Sequence, residues 1–247
     1  MPLVAAKCTS CGASLEVDSA KEAAVCPYCG TAYIVEKAIN NYNTTNNITA
    51  DVVNIYGGTS DFTIRAGVLE KYNGAATDVV IPNSVNIIGT EAFAGCSGLT
   101  GVVIPNSVTS IGAKAFDGCG ALTDIDIPDS VTEIGESAFR SCTSLTSITI
   151  PNSVTEIGES AFHDCTSLTS ITIPNSVTEI KEWAFSGCTS LTSITLPDSV
   201  TEIKEWAFYR CTLLTSVTLP NSVTKIGKCA FHDCTSLTSI TIPNSVT

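Results

Sequence analysis

Hydrophobic and polar positions alternate along this chain in a fixed order that returns many times. In the stretch 145–167 the apolar positions are Leu145, Ile148, Ile150, Val154, Ile157, Ala161, Phe162 and Cys165, set among serine, threonine and glutamate. Ile148 and Ile150 alternate with Ser147 and Thr149, a period of two that predicts a short strand with one buried face. Pro151 ends that strand because it lacks a ladder N–H. Val154 and Ile157 turn inward after the corner. Ala161 and Phe162 predict a short helical turn, too brief for a full helix, and Cys165 and Leu145 close the unit.

The unit recurs every 23 residues: prolines from Pro82 to Pro243, phenylalanines from Phe93 to Phe231 and cysteines from Cys96 to Cys234 each keep that spacing without an insertion. A fixed period of this size predicts a solenoid in which each coil covers the apolar face of the next. Successive strands then lie parallel, about 4.8 Å apart. The expected class is a strand-rich α/β solenoid over 78–247. Before it, 61–77 holds two alternating runs around Ala66-Gly67, the signal of a hairpin that caps the first coil. Residues 38–60 are rich in asparagine and end in Gly57-Gly58, which reads as a linker.

The run L-x-x-I-x-I-P-x-x-V-x-x-I-G-x-x-A-F-x-x-C-x-x over 78–247 resembles the BspA-type leucine-rich repeat. The resemblance implies a right-handed, curved superhelix that binds proteins or host surfaces, often as an exported, bacterial surface adhesin. The chain departs from the commoner leucine-rich repeat in carrying serine, as at Ser153, where a buried Asn or Cys usually follows the strand.

The N-terminal segment has different chemistry. Cys8-Thr9-Ser10-Cys11 and Cys26-Pro27-Tyr28-Cys29 are two CxxC pairs, each followed by glycine. Four thiolates bind zinc tetrahedrally, and a CxxC turn presents two of them at once. The expected ligands of one structural zinc are therefore Cys8, Cys11, Cys26 and Cys29, with the spacer forming a hairpin that joins the two turns. The motif resembles a zinc ribbon over 1–37. A closed four-cysteine site leaves no open position for catalysis.

Acidic residues outnumber basic ones 24 to 12, a formal charge of −12. That balance opposes nucleic acid and anionic membranes as partners. The N-terminus carries no secretory signal pattern and no stretch is long and apolar enough to cross a membrane, so a cytoplasmic location is expected, with reduced thiols. The repeat cysteines read as a packing column.

Function is sought where the repeat varies. Lys181-Glu182-Trp183 and Lys204-Glu205-Trp206 replace the usual glycine-led sequence in adjacent repeats, and their tryptophans should be neighbours. Tyr209, Arg210 and His232 lie just beyond, and Cys229 stands in the tryptophans' own column, where free variation suggests exposure. Exposed Trp, Tyr and Arg are what binding hot spots use. These eight residues, Lys181, Trp183, Lys204, Trp206, Tyr209, Arg210, Cys229 and His232, form the candidate partner surface. The threonine columns at Thr146 and Thr149 suit carbohydrate or ice less well. No catalytic constellation is present. The expected function is a non-enzymatic protein-binding scaffold. The alternative is a self-assembling structural protein that forms homo-oligomers through the coil ending at Thr247.

Overall fold

The structure is a computed structural model that describes residues 61–247 and the backbone of four short strands before them. The chain divides into two units, Met1–Asp61 and Phe62–Thr247. In the first unit Leu3–Lys7 pairs antiparallel with Ser14–Asp18, and Ala23–Val25 pairs antiparallel with Ala32–Ile34. The expected hairpin between the two CxxC motifs is thus corrected: the strands flanking each motif pair with each other. Cys8, Cys11, Cys26 and Cys29 lie outside the described residues, as does the 38–60 linker.

The second unit is a strand-rich solenoid held by three backbone ladders. The first joins three-residue strands such as Ser147–Thr149 and Ser170–Thr172, in parallel and in register. Along each strand only the middle residue is buried, so Ile148 points inward while Ser147 and Thr149 face solvent. The second ladder joins two-residue strands such as Glu133–Ile134 and Glu156–Ile157, again with the isoleucine inside.

The third ladder runs through the segment expected to be a helical turn, and here the expectation is corrected. Among the described residues there is no helix. The Ala161 and His163 amides bond three residues back, to Gly158 and Ser160, but the Phe162 amide leaves its own coil for the Ala184 carbonyl at 2.9 Å. Ser160 and Asp164 take φ of 56° and 58°, so the chain leaves the helical region twice within five residues. A helix needs every amide to bond within its own segment. The alternate amides of Ser160, Phe162 and Asp164 bond the next coil instead, so no helix forms here.

The core is a set of columns. Phenylalanine rings from Phe93 to Phe231 stack face to face with centroids 5.0–5.5 Å apart. At the N-terminal end Phe62–Arg65 and Val68–Tyr72 form an antiparallel hairpin, and Val68–Leu69 pairs parallel with Ile87–Ile88. Tyr72 continues the ring column: it lies 5.3 Å from Phe93, and its amide bonds the Ala92 carbonyl. Most of the serines that replace the usual buried polar residue bond the preceding coil, although the Ser153 hydroxyl is buried without a partner among the described residues. Ser107 Oγ donates to Val85 O at 2.7 Å, Ser130 to Val108 at 2.6 Å and Ser199 to Val177 at 2.7 Å. A backbone carbonyl left inside would cost about 1–3 kcal/mol, and the hydroxyl satisfies it.

The second ladder is interrupted once among the described coils. It runs without a break from Val68–Tyr72 to Glu156–Ile157, then resumes as a separate sheet from Glu179–Ile180. The break coincides with the first replacement of glycine by lysine. A Cβ on Gly135 or Gly158 would fall 2.7 or 2.5 Å from the preceding coil's backbone. Lys181 carries that Cβ and stacks on a glycine, so the ladder opens. Lys204 stacks on another lysine, and its amide keeps the bond to Ile180 O at 2.8 Å.

Candidate functional site

The departures from the repeat meet on one edge, the turn segment of three successive coils. Its tryptophan column consists of Glu91, Lys114, Ser137, Ser160, Trp183, Trp206 and Cys229, and all seven take positive φ between 53° and 58°. Ser137 in this column is buried, while Trp183 and Trp206 are half-buried beside the third ladder. Trp183 and Trp206 are presented from the same backbone geometry one coil apart. Their indoles stack with centroids 5.1 Å apart and planes 6° from parallel.

Tyr209 stands edge-on to both indoles, 5.9 Å from Trp183 and 5.1 Å from Trp206. His232 stacks on Tyr209 at 5.7 Å and meets Trp206 edge-on at 6.2 Å. The Arg210 guanidinium lies 5.5 Å from the Tyr209 ring and 3.9 Å from Asp233. Trp183, Trp206 and Tyr209 are half-buried, while Arg210 and His232 are exposed. The cluster is a preformed aromatic platform with a wet rim.

Two of the sequence candidates take a different part. Lys181 and Lys204 do not join the rings. Lys181 Nζ pairs with Glu156 and Glu179, and Lys204 Nζ pairs with Glu202 at 2.7 Å and Glu179 at 3.4 Å. Lys225 reaches Glu202 at 2.7 Å. Glutamates stacked in register repel one another, and these ammonium groups thread between them. The hydrogen bond to Glu156 raises the Lys181 pKa, and the bond from Lys204 lowers that of Glu202. Cys229 ends the tryptophan column but is half-buried rather than exposed, its short side chain staying close to the backbone where the indoles reach past it.

One residue of this edge, His163, and one exposed departure from the repeat, Leu213, were not among the sequence candidates. His163 meets Trp183 edge-on at 6.2 Å. Its signal was its column, which also holds Tyr209 and His232. Leu213 is 52% exposed where neighbouring repeats carry serine, three residues beyond Arg210. That substitution of an apolar for a polar residue was visible in the repeat alignment.

The repeat cysteines play a structural part. Each thiol from Cys119 to Cys234 donates to the phenylalanine carbonyl of the preceding coil, at 3.1–3.3 Å. Burial pushes the Cys119 and Cys165 thiols up to about 12. Among the described residues no group of His, Cys, Asp or Glu is placed to hold a metal. The Thr146 column is equally engaged, each hydroxyl donating to the threonine carbonyl one coil back. No helix among the described residues is long and apolar enough to cross a membrane.

Comparison with known proteins agrees with this geometry. The model of the BspA-type leucine-rich repeat region matches residues 64–171 and 155–247. The crystal structure of the T. pallidum leucine-rich repeat protein is 35% identical, with a TM-score of 0.69 over 73% of this chain and 90% of that one. A leucine-rich repeat protein from Bacteroides ovatus is 29% identical with a TM-score of 0.69, and the match spans 99% of this chain but 58% of that protein. No curated relative matches the chain. The chain belongs to the BspA-type leucine-rich repeat family.

Proposed function

We propose that the chain is a non-enzymatic, protein-binding scaffold whose partner docks on the edge formed by Trp183, Trp206, Tyr209, Arg210 and His232. The observation that carries this reading is the aromatic cluster itself. In an array that otherwise repeats serine, glycine and glutamate, the large aromatic side chains outside the core gather on three adjacent coils and touch one another. Rigid, half-exposed aromatic groups bury much area at little entropic cost, which is why interfaces favour them. Membership of a leucine-rich repeat family supports a binding scaffold over an enzyme, since function in repeat proteins lies in such surfaces. The test is affinity capture with the full chain against the same chain carrying Trp183→Ala and Trp206→Ala. Partners that depend on this edge are lost by the variant. An unchanged set of captured proteins would reduce the cluster to peripheral packing.

We also propose that Cys8, Cys11, Cys26 and Cys29 hold one structural zinc. Support comes from the two strand pairs of the first unit. Lys7 pairs with Ser14 and Val25 with Ala32, so each CxxC-Gly lies in the short segment joining a pair of antiparallel strands. A four-thiolate set suits zinc, and so small a unit draws folding energy from it. Metal analysis of the reduced protein should find about one equivalent. Serine at Cys11 and Cys29 should remove it while leaving the solenoid folded.

A further inference from the structure

The chain carries two ladders of glutamate, and they differ in one respect. Glu133, Glu156, Glu179 and Glu202 stand on the paired strands, and the last three are neutralised by Lys181, Lys204 and Lys225. Glu136, Glu159, Glu182 and Glu205 form the second ladder, held in register by the turns: Ser137 N–H bonds Glu159 O, Ser160 N–H bonds Glu182 O, and Trp183 N–H bonds Glu205 O. All four are exposed, and none has an ion-pair partner among the described residues. In the two Lys-Glu-Trp repeats, the lysine thus serves the first ladder while the glutamate and tryptophan face outward without a counter-charge.

We propose that the partner segment recognised on this edge is cationic, a lysine- or arginine-rich stretch whose charged heads lie along Glu159, Glu182 and Glu205 and over the outer face of Trp183. This rests on the reading of the aromatic edge as the partner surface. The indole stack ends at Trp183, because the next residue in its column is Ser160, and the ring that approaches from that coil, His163, meets Trp183 edge-on at 6.2 Å rather than stacking on it. Ser160 follows Glu159 in its own coil, and its amide bonds the carbonyl of Glu182 in the next. A guanidinium or ammonium over Ser160 meets the negative face of an indole and carboxylates on both sides. Carboxylates in register at a coil's spacing repel one another until a cation lies between them. At the other end the ladder stops: Lys228 takes the glutamate's place beside Cys229, and Arg210 already has Asp233. The site therefore has a direction, with its acidic end toward Glu136. The overall charge of −12 steers a basic partner toward the chain.

Trp183 and Trp206 are the only two tryptophans in the protein, so indole fluorescence of the full chain reports this site and no other. The probes are an octa-arginine peptide and its uncharged isostere, octa-citrulline. Octa-arginine should change the emission saturably, with an affinity that falls as salt rises, and octa-citrulline should not. Glu159→Gln with Glu182→Gln should weaken octa-arginine binding by about tenfold. Asp124→Asn with Asp126→Asn removes the same charge from exposed positions elsewhere and should leave it nearly unchanged. Equal weakening by the two pairs, or no change in emission with octa-arginine, overturns the proposal. If octa-citrulline binds as well as octa-arginine, the edge remains a docking surface but its partner is not cationic. Octa-arginine binding that survives Trp183→Ala with Trp206→Ala, followed by calorimetry, overturns the docking edge as well.

Discussion

The thiol of Cys142 donates to the carbonyl of Phe116, one coil earlier, at 3.3 Å. The same bond recurs from Cys119 to Cys234, so each coil is tied to its neighbour by a proton that only a neutral thiol carries. Burial raises the pKa of Cys142, and of Cys188, well above the ordinary value of 9.0 and brings Cys119 and Cys165 to about 12.

This gives the solenoid an alkaline limit. Below pH 9 the thiols are protonated in both the folded and the unfolded chain, and their contribution is fully present. Between pH 9 and about 12 the unfolded chain releases protons that the folded chain keeps, so stability falls as pH rises. Each of Cys119, Cys142, Cys165 and Cys188 contributes a slope of about 1.4 kcal/mol per pH unit in that window. Urea midpoints at pH 7, 9 and 10.5 should drop steeply above pH 9, and Cys119→Ala should lower the slope along with the stability at pH 7. A slope indifferent to that substitution would show that other groups set the alkaline limit.

The column of phenylalanines makes a second prediction about where the solenoid is strong. Phe139 is fully buried and stacked on both faces, 5.3 Å from Phe116 and 5.5 Å from Phe162. Phe139→Ala should cost about 3–5 kcal/mol. Phe231 is only partly buried and has a ring partner on one side, Phe208. Phe231→Ala should cost clearly less in the same denaturation measurement. Equal losses would mean that ring stacking adds nothing beyond filling space.

Much of this fold is legible in the sequence because a repeat averages out local ambiguity. Ile148, Val154, Ile157, Phe162 and Cys165 point inward as their columns require, and the spacing alone makes Trp183 and Trp206 neighbours. What escaped was set by backbone geometry that the side chains do not announce. Ser160 and Trp183 adopt positive φ with no glycine in their column to signal it, because the third ladder fixes their amides. Without that conformation the segment around Ala161-Phe162 reads as helical. Lys181 and Lys204 read as surface residues beside the tryptophans, and only the register of Glu156, Glu179 and Glu202 shows what they neutralise.

Lys204 therefore carries a salt- and pH-dependent prediction. Its ammonium lies between Glu179 and Glu202, whose pKa is lowered by the bond from Lys204 first and Lys225 second. A carboxylate with a lowered folded-state pKa stabilises the fold above its unfolded pKa, near 4.3, and loses that contribution as pH falls through the folded value. Lys204→Met removes the counter-charge and should flatten the acid limb of the stability profile below pH 5. The loss at pH 7 should shrink in high salt, because these groups are partly exposed and screened. An acid limb identical to the parent's would place its origin elsewhere.

Two glycines separate the two kinds of backbone constraint in the stack. Gly118 has φ 73°, and a Cβ built there meets nothing closer than Gly95 at 3.8 Å. Gly118→Ala therefore carries only the left-handed penalty, about 1 kcal/mol, and the equivalent positions Ser141 and Asp164 already tolerate it. Gly135 is different: a Cβ there falls 2.7 Å from Ala113 N and Gly112 C, both backbone atoms. The clash is relieved only by opening the ladder that holds Gly135 N–H to Ile111 O at 2.8 Å. Gly135→Ala should cost about 2–3 kcal/mol and raise hydrogen exchange at residue 135, reproducing the interruption seen at Lys181. If both substitutions cost the same and exchange at 135 is unchanged, close coil approach does not explain why the ladder breaks where glycine gives way to lysine.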